Sequence, residues 1–476
     1  MANQNITFTE WTPDQPSIVE NLSEAKNAVA AAVGYIPFPT AVDYSLSASE
    51  DLNNVFAGLF SSTTNIFAGG STKVFRLDGS DLSMNDVSKS GGYTNVERWN
   101  FVQFGDSVIA ANNRDKLQAF TLGSSTNFAD AAAVAPIAEY VTVVRDFVVA
   151  ANLDSGTNAN KVQWSNINDY TNWTAGGASQ SDFQLIPNGG NIHGITGGEF
   201  GLILLERAVV RMSYIGSPFF FQFDTIAVGV GCVEGGSVTQ YANITYFLGA
   251  DGFYACDGNT VTPIGNEKVD RWFLASANPA KLDSISTTVD PFRKIVVWNF
   301  LDNFGKRNLL IYNYQSGKWT YADTTVNFVA NSATAGETLE GMDLYGTVDT
   351  IETSFDSPLF SGGKYLFSGV RGDKIVTFSG ANSAAQIETG LVGSPYPTVL
   401  TLARPLVDSG SADVAVASQV TLEEVVDFGA YTSADSENRV SLRSSGKYHK
   451  LSIKPTGANW SNIIGVDIDL ASQGIR

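Results

Sequence analysis

Histidine and cysteine are almost missing from this chain of 476 residues, which holds only His193, His449, Cys232 and Cys256. Two cysteines exclude a disulfide framework. They can pair only if their strands adjoin, and two free buried thiols suit this sequence better. Two histidines exclude a histidine metal cage, and neither belongs to an H-x-x-x-H pair. A Ser-His-Asp triad would depend on one of them. His193 lies in the Gly-rich GGNIHGITGG, where an ordinary hydrogen-bonded histidine is the simpler reading. G-x-S-x-G, a Walker A loop and a strand-to-helix G-x-G-x-x-G are absent as well. No apolar run approaches bilayer length, and the start lacks the basic-then-apolar pattern of a secretory signal. Basic charge is scarce: 29 Lys plus Arg stand against 48 Asp plus Glu, a formal charge of −19. Such a surface repels free nucleic acid and keeps a protein soluble. The expectation is a non-enzyme with no catalytic, cofactor-binding or metal residues and no cofactor.

What is present is turn chemistry. The chain has 45 glycines and is 43% apolar, as suits a globular, turn-rich β protein. The stretch Gly236 to Gly265 reads as a four-stranded meander. Its strands end at Ile244 to Leu248, Phe253 to Cys256 and Val261 to Ile264, with turns at Tyr241-Ala242-Asn243, Asp251-Gly252 and Asp257-Gly258. Four strands cannot bury both faces alone, so copies are expected. The central turn recurs as Phe104-Gly105-Asp106, Arg145-Asp146-Phe147, Gly198-Glu199-Phe200 and Pro291-Phe292-Arg293. Successive midpoints, the template's included, lie about 41, 53, 43 and 50 residues apart, the range of propeller blades. An earlier copy, NNVFAGLFSSTTNIFAGGSTKVFRLDG, precedes them. The sequence therefore predicts an all-β protein with a β-propeller of about six blades. An irregular β-sandwich is the alternative.

The flanks read differently. Residues 1–52 form an N-terminal arm, in which Ser23 is expected to cap a short helix through Val33 that Gly34 ends. Pro37 and Pro39 then force extended chain. The propeller is expected over 53–380, with an inserted loop region near 326–363 where the pattern lapses into an acidic, Gly-, Thr- and Ser-rich stretch. Lys364 to Gly380 resumes the hairpin pattern, either closing the ring or adding a seventh blade. Residues 381–476 form a smaller C-terminal antiparallel β domain for docking. In its KYHKLSIKP run, His449, Leu451 and Ile453 face one way, which predicts a half-exposed sheet.

Several groups could carry function. Trp164, Tyr170 and Trp173 lie in a polar insertion and either contact a sugar or partner or cap the local sheet. Phe219 to Phe223 suit a buried strand or a subunit interface. Arg439, Arg443, Lys447, Lys450 and Lys454 form a basic run that docks an acidic partner, touches DNA phosphates, or is a solvated face. Asp257, Asp270, Asp283 and Asp290 are the carboxylates by position for a glycosidase pair. Ser316-Gly317-Lys318-Trp319-Thr320 is similar to the tail of a sialidase aspartate box without its aspartate.

The opening EWTPDQPSIVENLSEAKNAVAAAVGYIPFP resembles the start of the tail nozzle proteins of short-tailed bacteriophages, also called packaged-DNA stabilisation or tail accessory (hub) proteins. The ending SGKYHKLSIKPTGANWSNIIGVDIDLASQGIR resembles theirs, and VQWSNINDYTNW, GLILLERAVVRMSY and GADGFYACDGNTVTPIGNEKVDRWF resemble their middle. A single closing Arg476 stands where that family would lead one to expect a basic pair. The resemblance implies a structural virion protein of the viral tail, assembled in the host cytoplasm. It would be a homo-hexamer below the portal/adaptor (head-to-tail connector) ring. That hexamer would form the DNA channel for ejection, retain packaged genomic DNA without sequence-specific binding, and support tail fibre or spike proteins. The alternative is a glycan-cleaving or glycan-binding propeller.

Overall fold

The computed structural model describes residues 2–60, 63–176, 179–334, 364–457 and 459–473. Its strands follow the apolar runs. In the third sheet every residue of Phe147–Leu153 is buried, and in the second every residue of Ser107–Ala111. A strand in mid-sheet, covered by neighbouring sheets on both faces, needs such a continuous run rather than alternation. Short polar turns then reverse the chain: Gly105, Arg145 and Ala242 all adopt the left-handed conformation, with φ of 57°, 52° and 52°. That is the geometry a two-residue hairpin demands.

The result is a ring of antiparallel sheets, six of which are built on a four-stranded meander. All six expected repeats are present. They begin at the strands Leu52–Phe60, Asn100–Phe104, Ala138–Val144, Ile192–Thr196, Thr239–Tyr241 and Ser286–Asp290. The choice left open for Lys364 to Gly380 is also settled. Phe328–Ala333, Tyr365–Arg371 and Lys374–Thr377 form a further sheet, standing between the sixth and the first. Its outer strand, Val42–Asp43, comes from the N-terminal arm, with Asp43 opposite Val376 and Val42 opposite Thr377. Asp43 holds this closure by ion pairs to Arg371 and to Lys374, the latter at 2.9 Å. The expected pattern lapse at 326 is corrected in part, because 328–333 is an inner strand. The rest of that inserted loop region, 335–363, lies outside the described residues.

The sixth meander does not stop at its fourth strand, Lys318–Thr324. A bridge from Tyr321 to Lys26 carries it into a 14-stranded sheet with the C-terminal strands Val392–Asp408, Ser411–Gln419, Val440–Thr456 and Asn462–Ser472. The arm is woven through this sheet, since Ala2–Thr7 pairs with Asn462–Ser472. The helix expected from Ser23 to Val33 is not there. Glu24–Lys26 and Ala28–Ala30 are short strands broken by Asn27 at φ 56°. Ala25, Ala28 and Ala30 are buried where the sixth meander, the arm and the C-terminal sheet meet. Small side chains are required by that close packing, and it overrides their helical propensity. Gly34 does end a local element, as the turn of the hairpin from Ala28–Ala30 to Tyr35–Pro37. A Cβ on it would lie 2.3 Å from the Ile463 carbonyl oxygen.

Candidate functional site

The innermost strands enclose a cavity of about 820 Å³, lined from every sheet of the ring. Side chains stitch its seams. Asn54 Nδ2 donates to the Trp99 carbonyl at 2.5 Å, Val141 N–H to Asn100 Oδ1 at 2.9 Å, and Gln240 Nε2 to the Gly197 carbonyl at 2.9 Å. Such bonds satisfy inner-strand polar groups that would otherwise be stranded between sheets.

One side chain crosses the cavity. Arg98, just ahead of the second sheet, reaches the segment entering the sixth. It donates there to the carbonyls of Ile285 at 2.5 Å and Asp283 at 3.0 Å. Its guanidinium also lies over the Phe328 ring, 5.7 Å from the centroid. Gly236 makes room for it, because a Cβ there would sit 1.9 Å from Arg98 Nη1. Glu234 Oε1 stands 4.0 Å from the same nitrogen. Arg307 approaches the same segment and donates to the Ser284 carbonyl at 3.1 Å. Burial, then the nearby Arg98, lower its pKa. Near Arg98 and Glu234, Glu139 accepts from Tyr140 Oη at 2.8 Å and Asn152 Nδ2 at 2.6 Å, and burial raises its pKa.

The residues singled out in the sequence fall elsewhere. Of the four aspartates only Asp283 lines the cavity. Asp257 accepts from the backbone N–H groups of Asn259 and Thr260, which hold its pKa down. Asp270 is buried, accepts from Phe253 N–H, and is pushed up to about 6 mainly by burial. Asp290 is tied to Arg293 at 2.7 Å. The fold does not gather these four into a catalytic pair. Trp164 and Trp173 are buried, and Tyr170 packs beside Trp173 against the second sheet, its Oη 3.2 Å from Thr121 Oγ1, so Tyr170 and Trp173 seal the seam between the second and third sheets. Trp319 is core, donating to the Ile264 carbonyl at 3.1 Å. Cys232 and Cys256 are free and buried.

The basic run is dispersed rather than one patch. Arg439 turns to Asp435 and Glu437, Lys450 to Glu388 at 2.8 Å, and Lys454 onto the Tyr431 ring. Ser452 is buried against Tyr431 and Gln386, and Lys450 pairs with Glu388 and lies over the Phe428 ring, so the expected half-exposed strand has both faces packed here. His449 is fully buried between Thr398 Oγ1 at 2.8 Å and Ser418 Oγ at 2.7 Å. Burial lowers its pKa and keeps it neutral, and with hydroxyls on both sides it is structural. His193 faces Glu206 at 3.7 Å. The phenylalanine run divides: Phe221 is buried against Phe147 and Trp164, whereas Phe219 is 73% exposed at the hairpin tip.

Ring, seams and meander define the class: an all-β protein built on a β-propeller, with an antiparallel C-terminal sheet. Among the described residues no helix is long and apolar enough to cross a membrane. No family model and no curated protein matches the chain. Solved structures are similar in fold. The computationally designed Ika8 protein is 11% identical, with 70% of this chain and 97% of that one covered and a TM-score of 0.37. The extracellular domain of the putative hybrid two-component system BT4673 of B. thetaiotaomicron is 10% identical, with coverage of 85% and 47% and a TM-score of 0.40. The WD40 domain of Toxoplasma gondii coronin is 10% identical, with coverage of 73% and 88% and a TM-score of 0.37. These likenesses carry nothing beyond architecture.

Proposed function

We propose that this chain is a structural subunit of a phage tail nozzle, a hexamer placed between a portal/adaptor ring and the tail fibres or spikes. The observation that supports this reading best is the pair of separate apolar surfaces on one continuous framework. One lies on the outer strand of the third sheet, where Phe183 and Leu185, two residues apart on one face, are exposed. The other is the loop after Ser411–Gln419, where Val420, Leu422, Val425 and Val426 are exposed. Contiguous exposed apolar groups mark protein–protein contacts, and a subunit held both by its ring neighbours and by a partner ring needs two of them. The 14-stranded sheet joining the propeller to the C-terminal strands suits a part that bears load. The DNA path belongs to the lumen between copies. The propeller's own cavity is crossed by Arg98 and is too small for a duplex.

The test is native mass measurement of the purified protein, alone and with portal–adaptor complex. Incorporation of six copies supports the reading. A monomer that ignores the complex sinks it, and glycan hydrolysis would be assayed next.

A further inference from the structure

We infer that the mouth of the propeller cavity binds a small oxyanion, a phosphate group, between Arg98 and Arg307. The inference stands apart from the tail reading: it needs neither a ring nor a partner.

Two guanidinium groups converge there on one short stretch of backbone, Asp283 to Ile285, and both bond to its carbonyls. Carbonyl dipoles hold the groups in place but do not neutralise two charges. Arg98 has a long ion pair to Glu234, at 4.0 Å and outside hydrogen-bond reach, and the Asp283 carboxylate acts on Arg307 from a distance. Among the described residues Arg307 forms no ion pair and uses one donor, Nη1, so its Nε and Nη2 remain available. Like charges held close in a half-buried site repel each other, and an anion between them relieves that cost. A guanidinium fork fits phosphate oxygens two at a time.

A second observation points the same way. Thr287, on the inner strand beside this segment, lines the same cavity, and its buried Oγ1 has no hydrogen-bond partner. A buried hydroxyl without a partner is rare in native structures, and a turn of this side chain toward the cavity would let a bound oxygen supply one. Exposed Lys281 lines the same cavity and adds positive charge, against the carboxylates of Asp283, Glu234 and Glu139. The cavity, at about 820 Å³, has ample room for the ion and its water.

Isothermal titration calorimetry with inorganic phosphate, against chloride at matched ionic strength, tests the site. Wild-type protein is expected to show saturable binding. Arg307→Gln should weaken it roughly tenfold or more, the loss of charge-assisted hydrogen bonds, and Arg307→Lys should weaken it less. Thr287→Val should weaken it several-fold with the fold intact, which keeps the test informative if Arg307→Gln does not fold. A short oligonucleotide, with and without a 5′-phosphate, distinguishes the sources. Competition by the phosphorylated strand alone marks a nucleic-acid phosphate as the ligand, and binding of inorganic phosphate without that competition marks a free ion. Absence of saturable wild-type binding to either probe overturns the site, as does unchanged binding in both Arg307→Gln and Thr287→Val.

Discussion

Glu24 shows how one side chain is fixed by three distant parts of the chain. It lies opposite Glu388 of the C-terminal sheet, accepts from Tyr321 of the sixth meander, and has Lys26 and Lys450 nearby. Burial is the largest influence on it, followed by the Tyr321 hydrogen bond, which opposes burial, and the net effect raises its carboxyl to about 6. A carboxyl raised above its unfolded value of 4.5 is held more tightly by protons in the folded state. It therefore costs stability above pH 6, and that cost disappears as pH falls toward 4.5. Glu24→Gln should stabilise the protein at pH 7.5, by on the order of 2 kcal/mol, and have little effect at pH 4.5. Melting curves of both proteins at the two pH values check this, and an equal gain at both would contradict it. None of this was legible in the sequence. Glu24 precedes an alanine-rich run there, and its partners lie about 300 and 360 residues away. The Arg98–Arg307 site escaped for the same reason: two ordinary arginines become a pair only through ring closure.

At the scale of the element, the hairpins were the legible part. Continuous apolar runs mark strands covered on both faces, and the residues between them mark the turns. The fit is uneven, though, because the same left-handed turn is filled by Gly105 in one sheet and Ala242 in another. A side chain in that conformation costs roughly 1 kcal/mol and glycine does not. Ala242→Gly should therefore raise stability by about 0.5–1 kcal/mol, and Gly105→Ala should lower it by about the same amount. Chemical denaturation of the two variants gives the signs, and matching signs would refute the turn argument. The expected helix failed where local preference met tertiary demand. Ala25, Ala28 and Ala30 read as helix formers, but they serve as small side chains in a crowded seam. The one α-helix among the described residues, Asp270–Ser276, is only seven residues long and has no side-chain N-cap. Its sequence gave no signal to find.

At the scale of the molecule, the shared sheet ties propeller and C-terminal strands into one structure. Unfolding followed by tryptophan fluorescence and by circular dichroism should then give coincident curves. Two separated transitions would show that the halves are independent. The ring itself has an unusual order of closure. Its last sheet is finished by Val42–Asp43, which must wait for Val376 and Thr377, about 330 residues later in the chain. During synthesis at roughly 5–20 residues per second, that is tens of seconds in which the nascent propeller is an open arc. For all that time the edge of its first sheet and the unpaired arm are exposed to whatever else is being made nearby. Production of this protein should thus depend on the pace of translation and on chaperones that shelter the arc, even though the finished ring needs neither.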